Sequence, residues 1–381
     1  MTSGKRMRIG VGVVAVMVAG CTVALAQGPA GTMPASAPAT LPAATAPAAD
    51  IPSDFVKVTP VTHRKIDKCL QLSAGKTRLI VMPAWAGRIS VLDFGTGNVL
   101  FTDPAVDGKI VKPQDNWGPW DGNATDIFKL VNAQKNERKN QFAGLWLHPW
   151  NTVSLMNEPA STLPSSAPTD QGGTRVEIAS EVSRDAGLSA RRAYTLWPDG
   201  TKLRYEYTIT NRSGKTDSWT ICERALVPAT GYVILPIAKG GAFPEGFAAR
   251  DNTKVEPADR AVVQGEFLVL RAGTTTGAGF AARLRAGWIG VVRDGHVLLM
   301  TYPIAKDGKY PYYNGANVMP WLNKNNIELE PLSPEVTLDN GKSYTFTQVW
   351  HWLAIPQTIN ADDAAVVGQW AEKQLIGQLV N

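Results

Sequence analysis

From Thr201 to Asn211 the chain alternates without a break. Leu203, Tyr205, Tyr207 and Ile209 fall on one side, Arg204, Glu206, Thr208 and Thr210 on the other. A period of two marks a β-strand with one buried face, and a helix does not produce it. Much of the chain repeats the pattern. Thr77 to Met82 is a strand ended by Pro83, Arg88 to Phe94 alternates, and Thr174 to Val182 and Leu188 to Trp197 follow. Trp219 to Val227, Phe267 to Ala272, Gly287 to Arg293 and His296 to Tyr302 continue the series. Ser73-Ala74-Gly75, Gly95-Thr96-Gly97-Asn98 and Pro198-Asp199-Gly200 are turns between them. Short strands between turn signals, with few helical periods, predict an all-β antiparallel sandwich and argue against βαβ units.

The stretch from Ile327 to Leu353 reads as three strands. Ile327-Glu328-Leu329-Glu330 sets both carboxylates on one face. Pro331 and Pro334 end that strand, because proline brings no N–H to a ladder. Val336 to Asp339 begins a second, and Asn340-Gly341 is a type I′ hairpin signal. The return strand sets Tyr344, Phe346, Trp350 and Trp352 on one face and Thr345, Thr347, Val349 and His351 on the other. Two carboxylates, a histidine and several aromatics on one sheet make either a polar-aromatic binding surface or a water-facing rim over an aromatic core. Beyond them, Asn360 to Asp363 offers a helix cap with acidic residues at the positive helix end. Val366, Val367, Trp370 and Leu375 form the expected apolar stripe, packed across the sheet.

Residues 1–26 read as an export signal. Lys5, Arg6 and Arg8 precede an apolar run from Ile9 to Ala19, which is too short for a membrane span of about 20 residues. Two endings compete: Ala24-Leu25-Ala26 is an A-x-A cleavage site, and Val18-Ala19-Gly20-Cys21 resembles a lipobox that would put a lipid anchor on Cys21. The formal charge of +5, less the three basic side chains of this segment, leaves +2. That balance and the lack of a basic stripe give no case for a nucleic-acid partner. Residues 27–51 are mostly Ala, Pro, Thr and Ser and read as a spacer that buries too little to fold. Residues 52–381 are then one β domain. Of its cysteines, Cys69 and Cys222 either pair or lie buried as separate thiols, and their spacing fits no metal motif.

Two segments are too long and too aromatic for plain connectors. Pro113 to Phe128 holds Trp117, Trp120, Asp115, Asp121 and Asp126; Lys309 to Leu322 holds Tyr310, Tyr312, Tyr313, Asn314, Asn317 and Trp321. Aromatic rings beside carboxylates and carboxamides suit sugars, whose ring faces stack and whose hydroxyls hydrogen-bond. The competing reading is that these loops plug one end of a sandwich. No nucleophile elbow, phosphate loop, zinc motif or dinucleotide fingerprint is present, so neither metal nor cofactor is expected. The dispersed candidates are His148 in Leu147-His148-Pro149-Trp150-Asn151, Glu223 in Cys222-Glu223-Arg224, Glu328, Glu330 and His351. His63 and His296 are expected at the surface.

Met82-Pro83-Ala84-Trp85-Ala86-Gly87-Arg88-Ile89-Ser90 and Gly97-Asn98-Val99-Leu100-Phe101 resemble the opening strands of galactose-mutarotase-like (aldose 1-epimerase-like) proteins. Ile327 to Pro334 and Leu338 to Ser343 resemble their closing strands. The resemblance spans most of residues 65–355 and is nearest to a group of exported bacterial proteins. It implies a β-supersandwich with a sugar on its concave face. Glu330 takes the position of the family's glutamate base, His148 that of the first histidine, and Arg88 loosely that of a sugar-contacting arginine. The second histidine is missing, because the matching strand reads Trp219-Thr220-Ile221-Cys222-Glu223-Arg224. The expectation is an exported carbohydrate-binding protein. Either it acts on the sugar with Glu330 as base and His148 as acid, or it is a non-catalytic, envelope-tethered glycan-binding or scaffolding module. Trp117, Trp120, Trp150 and Tyr312 would stack sugar. Arg88, Asp121, Asn151, Glu223, Tyr310, Glu328 and His351 complete the expected binding set.

Overall fold

The computed structural model describes residues 56–110, 121–132, 137–139, 145, 150–157, 172–250, 260–271 and 277–379. The chain enters through a four-stranded sheet, β1 (Lys57–His63), β2 (Ile66–Ala74), β3 (Thr77–Met82) and β4 (Arg88–Asp93), in that order. β5 (Asn123–Asn132) and β6 (Glu137–Lys139) open a second sheet. β7 (Asn151–Asn157), β8 (Thr174–Ala179), β9 (Leu188–Leu196) and β10 (Lys202–Asn211) run as a meander into a third. The chain then shuttles between these two. β11 (Asp217–Pro228), β13 (Phe247–Arg250), β16 (Ala278–Ala282), β19 (Trp321–Leu322), β20 (Asn326–Leu329) and β21 (Val336–Leu338) complete an eight-stranded sheet with β5 and β6. β12 (Tyr232–Pro236), β14 (Ala261–Gln264), β15 (Phe267–Leu270), β17 (Trp288–Arg293), β18 (His296–Thr301) and β22 (Ser343–Ala354) bring the other to ten. Neighbours in all three sheets pair antiparallel, so the expected all-β architecture stands.

The core lies between the two large sheets because each contributes its apolar alternates to it. Leu203, Tyr205, Tyr207 and Ile209 of β10 are fully buried, as are Phe346 and Trp350 of β22. Facing them are Ile221, Ala225 and Val227 of β11, Ile127 of β5, and Ile327 and Leu329 of β20. Alternation then places Asp126, Phe128, Cys222, Arg224, Glu328 and Glu330 on the other face of the eight-stranded sheet, turned away from this core. Cys69 and Cys222 are free and buried in separate apolar clusters.

Two local expectations change. Asn340-Gly341 does not close a hairpin. Lys342 N–H donates to Asp339 C=O at 3.0 Å, a four-residue turn, but only Gly341 of the pair has positive φ (+81°), which excludes type I′. The flanking strands part: β21 pairs with β11, while β22 lies between β10 and β18. The turn hands the chain from one sheet to the other. In α1 (Ala364–Leu379), Asp363 is the cap, accepting from Ala365 N at 3.1 Å and Val366 N at 3.2 Å. Its buried stripe is Ala364, Val367, Ala371 and Leu375; Val366 points to solvent and Trp370 is half-buried. This stripe covers Phe267, Val269, Trp288 and Leu299 on the outward face of the ten-stranded sheet.

Candidate functional site

On the outward face of the eight-stranded sheet, a charged network joins four strands, β5, β11, β13 and β20. β11 pairs with β20 so that Ala225 stands opposite Leu329, which brings Arg224 beside Glu328 and Glu330. Its Nε lies 2.9 Å from Glu328 Oε2 and 3.2 Å from Glu330 Oε1. On the other flank, its Nη2 donates to Asp126 Oδ2 of β5 at 2.6 Å. Arg250, at the end of β13, donates Nη1 to Glu330 Oε2 at 2.6 Å and to Met319 C=O at 3.0 Å. Asn323 Nδ2 donates to Glu328 Oε1 at 2.9 Å. Both oxygens of Glu330 are therefore engaged by guanidinium groups, and its side chain is only 2% exposed.

The fold holds three carboxylates and two guanidiniums out of water here. Burial pushes the Glu328 carboxyl up to about 7; Glu330 adds repulsion, and Arg224 opposes the shift. Asp126 is also pushed upward, burial again leading. Aromatic groups bracket the outer end of the network. The Arg250 guanidinium lies 5.2 Å from the Tyr313 ring centre and 5.3 Å from that of Trp321. Tyr313 and Asn314 both adopt the left-handed region, at φ +43° and +60°, an unfavourable backbone for residues with side chains. That turn carries the Tyr313 ring to Arg250. Trp321 is seated in a slot left by two glycines: a Cβ on Gly277 would stand 2.7 Å from its indole and one on Gly279 2.5 Å. Its indole N–H donates to Asn323 Oδ1 at 2.9 Å. Beside the network, Phe128, Cys222, Phe243 and Tyr312 form an apolar floor, with Tyr312 and Phe128 ring centres 4.7 Å apart.

A second polar cluster lies inside the sandwich. Glu223 is fully buried on the core-facing side of β11. It accepts from Asn123 Nδ2 at 2.7 Å, from Tyr205 OH at 3.0 Å and from Thr125 Oγ1. Arg192 Nη2 donates to Thr125 Oγ1 at 3.0 Å, and its guanidinium lies 5.2 Å from the Trp150 ring and 5.3 Å from that of Tyr207. Burial pushes Glu223 up to about 7 against the pull of Arg192.

The expected site residues thus separate. Glu328, Glu330 and Tyr312 gather on one face. Glu223 does not join them: it is the neighbour of Arg224 on a strand, so its side chain enters the core. Trp150 is 3% exposed, packed on Arg192 and Tyr207, and has no face for a sugar. His351 lies on the far face of the ten-stranded sheet, paired with Leu299 of β18 and Lys202 of β10. Burial, reinforced by Lys202, pushes it down to about 4. Neither Glu223 nor His351 shares a sheet face with Glu328 and Glu330. Asp121 is bound to Arg64 and to Asp103 N at 3.1 Å, a tie between loops. Arg88 is buried between the two clusters and pushed down to about 9, by burial first and Arg192 second. Tyr310 is half-buried, with its hydroxyl accepting from Ala305 N at 3.1 Å. Asn151 starts β7, its backbone opposite Ala179. His148, Trp117 and Trp120 lie outside the described residues. His63 is half-buried, 3.1 Å from Ser90 Oγ, and His296 stacks on Trp352 with ring centres 5.0 Å apart. Arg250 is the residue that sequence reading missed outright, because Phe247-Ala248-Ala249-Arg250 carries no motif.

These sheets and their order define a galactose-mutarotase-like fold. The chain is similar in structure to a candidate aldose 1-epimerase from Klebsiella pneumoniae, with a TM-score of 0.57 and 11% identity, covering 84% of this chain and 87% of that one. A galactose mutarotase-like protein from Clostridium acetobutylicum aligns with a TM-score of 0.46 and 10% identity, covering 79% of this chain and 99% of that one. No family model and no curated protein matches the chain.

Proposed function

We propose that this is an exported carbohydrate-binding protein whose sugar lies on the outward face of the eight-stranded sheet, over Arg250, Glu328, Glu330 and Asn323. The half-exposed rings of Tyr313 and Trp321 supply the apolar contact that a pyranose face needs. The observation that carries the reading is the double engagement of Glu330 by Arg224 and Arg250. A general base must reach the proton it takes. With one guanidinium on each oxygen and a side chain only 2% exposed, this carboxylate offers a substrate hydroxyl little access, so binding without ring opening is the favoured form. Export rests on the basic and apolar pattern of residues 1–26, and tethering on Cys21 and the spacer that follows.

Isothermal titration of the exported protein against a panel of neutral and charged glycans, paired with polarimetric mutarotation assays, tests this. The expected result is binding without turnover, lost in Arg250→Gln; no binding to any member of the panel overturns the proposal. One observation favours a catalytic form. Glu328, pushed up to about 7 by burial against the pull of Arg224, would be the proton donor in that form. Mutarotation that disappears in Glu328→Gln would select it. Mass spectrometry of the mature N-terminus distinguishes a lipidated Cys21 from cleavage after Ala26.

A further inference from the structure

A cavity of about 850 Å³ opens where the segments after β12, β16 and β18 meet, and no residue of the Arg224 network lines it. Its walls are preset by backbone bonds. Ala238 N–H donates to Arg283 C=O at 2.8 Å, and Arg285 N–H to Pro236 C=O at 2.9 Å. Lys239, Arg283, Arg285 and Lys306 line it, and no aspartate or glutamate is among its described lining residues. Arg285 is matched by Glu372 at 2.8 Å and Glu266 at 3.3 Å. Lys239, Arg283 and Lys306 are exposed and make no ion pair among the described residues. Solvated lysines are ordinary on a convex surface. Three cations around one concavity, with no ion pair and no lining carboxylate among the described residues, raise the potential inside it.

Two hydroxyls add donors. Tyr302 lines the cavity, is 5% exposed, and its hydroxyl has no hydrogen-bond partner. A buried hydroxyl left unpaired is costly, and this one is carried by a ring packed edge-on against Phe346 of the core, with ring centres 6.0 Å apart. Tyr310 lines the same wall and accepts from Ala305 N, so its own proton is available. The volume suits a small molecule of one or two rings.

We propose that this cavity binds a sugar-sized small molecule bearing an oxyanion, either a carboxylate or a phosphoryl group. The inference does not depend on the sugar site over Glu330. Titration of the full chain with glucuronate, glucose 6-phosphate and glucose, at low and high salt, tests it. At least one charged sugar is expected to bind, more weakly at high salt, and glucose is expected not to bind in this cavity. Whichever charged sugar binds identifies the anionic group. The combined Lys239→Gln, Arg283→Gln and Lys306→Gln variant changes only exposed side chains and is expected to weaken binding by about tenfold or more. Tyr302→Phe, which removes one oxygen, is expected to weaken it by roughly fivefold. Arg250→Gln disables the first site and leaves this binding in place, so the two proposals fail separately. Absence of binding by both charged sugars, or binding that survives the triple substitution, overturns the proposal.

Discussion

Arg224 Nε stands 3.2 Å from Glu330 Oε1, one step along the ladder from the Ala225–Leu329 pair. Strand register alone sets that approach, and Asp126 on the opposite neighbour completes it at 2.6 Å. Removing the cation leaves three carboxylates out of water around an empty centre. Arg224→Met is expected to lower stability by about 3–5 kcal/mol in urea denaturation. Glu330→Gln keeps an acceptor for one guanidinium and is expected to cost less, about 1–3 kcal/mol. Equal losses in the two variants would mean that Arg224 is not the hub.

The interior carboxylate gives stability a pH dependence of a definite sign. Glu223 is held at about 7 in the fold against an ordinary value of 4.5. Between those values the folded chain binds more protons than the unfolded chain, so stability falls as pH rises from 4.5 to 7 and levels off above. Chemical denaturation across that window is expected to show the slope. Glu223→Gln, which keeps the amide within reach of Thr125 and Tyr205, is expected to reduce it, leaving the share from Glu328, which burial also pushes up to about 7.

His351 acts in the opposite sense. It is held at about 4 against an ordinary 6.5, so the unfolded chain binds the extra proton. Its contribution is fully present above pH 6.5 and is lost as pH falls toward 4. His351→Gln is expected to remove that acid-side loss while leaving glycan binding unchanged, since the residue lies on the far sheet face. A binding defect in this variant would place the ligand elsewhere.

How much of this was legible in the sequence follows from what strand alternation encodes. Alternation fixes which residues share a face, so the buried run of β10 and the common face of Glu328 and Glu330 could be read directly. It does not fix which sheet a strand joins. Asn340-Gly341 carries a strong hairpin signal, yet its two strands enter different ladders, because β21 finds a partner in β11. Glu223 and Arg224 illustrate the same limit. Their opposite facing is local, but which side is core depends on Tyr205 and Arg192, from strands of the other sheet. Arg250 was invisible because its role comes from a contact with Glu330, eighty positions away.

Glycine at 279 tests the outer, aromatic end of the site, where a Cβ would also stand 3.1 Å from Arg250 Cβ. A Cβ there would stand 2.5 Å from the Trp321 ring, which also closes over Arg250. Gly279→Ala is expected to displace the indole at a cost of about 1–3 kcal/mol. Glycan affinity is expected to fall while stability against pH keeps its shape. Tryptophan fluorescence and titration on the same sample check this.

Gly368 makes the last prediction one of sign. Glycine inside an exposed helix is unfavourable, and replacing it with alanine normally stabilises by about 1 kcal/mol. Here a Cβ would stand 2.9 Å from the Phe267 ring. That ring is 2% exposed and packs against Trp288 with centres 6.0 Å apart, so it has little room to yield. Gly368→Ala is therefore expected to lower the melting temperature, because overpacking outweighs helix propensity. A rise would show that α1 can lift from the ten-stranded sheet without loss of its buried stripe.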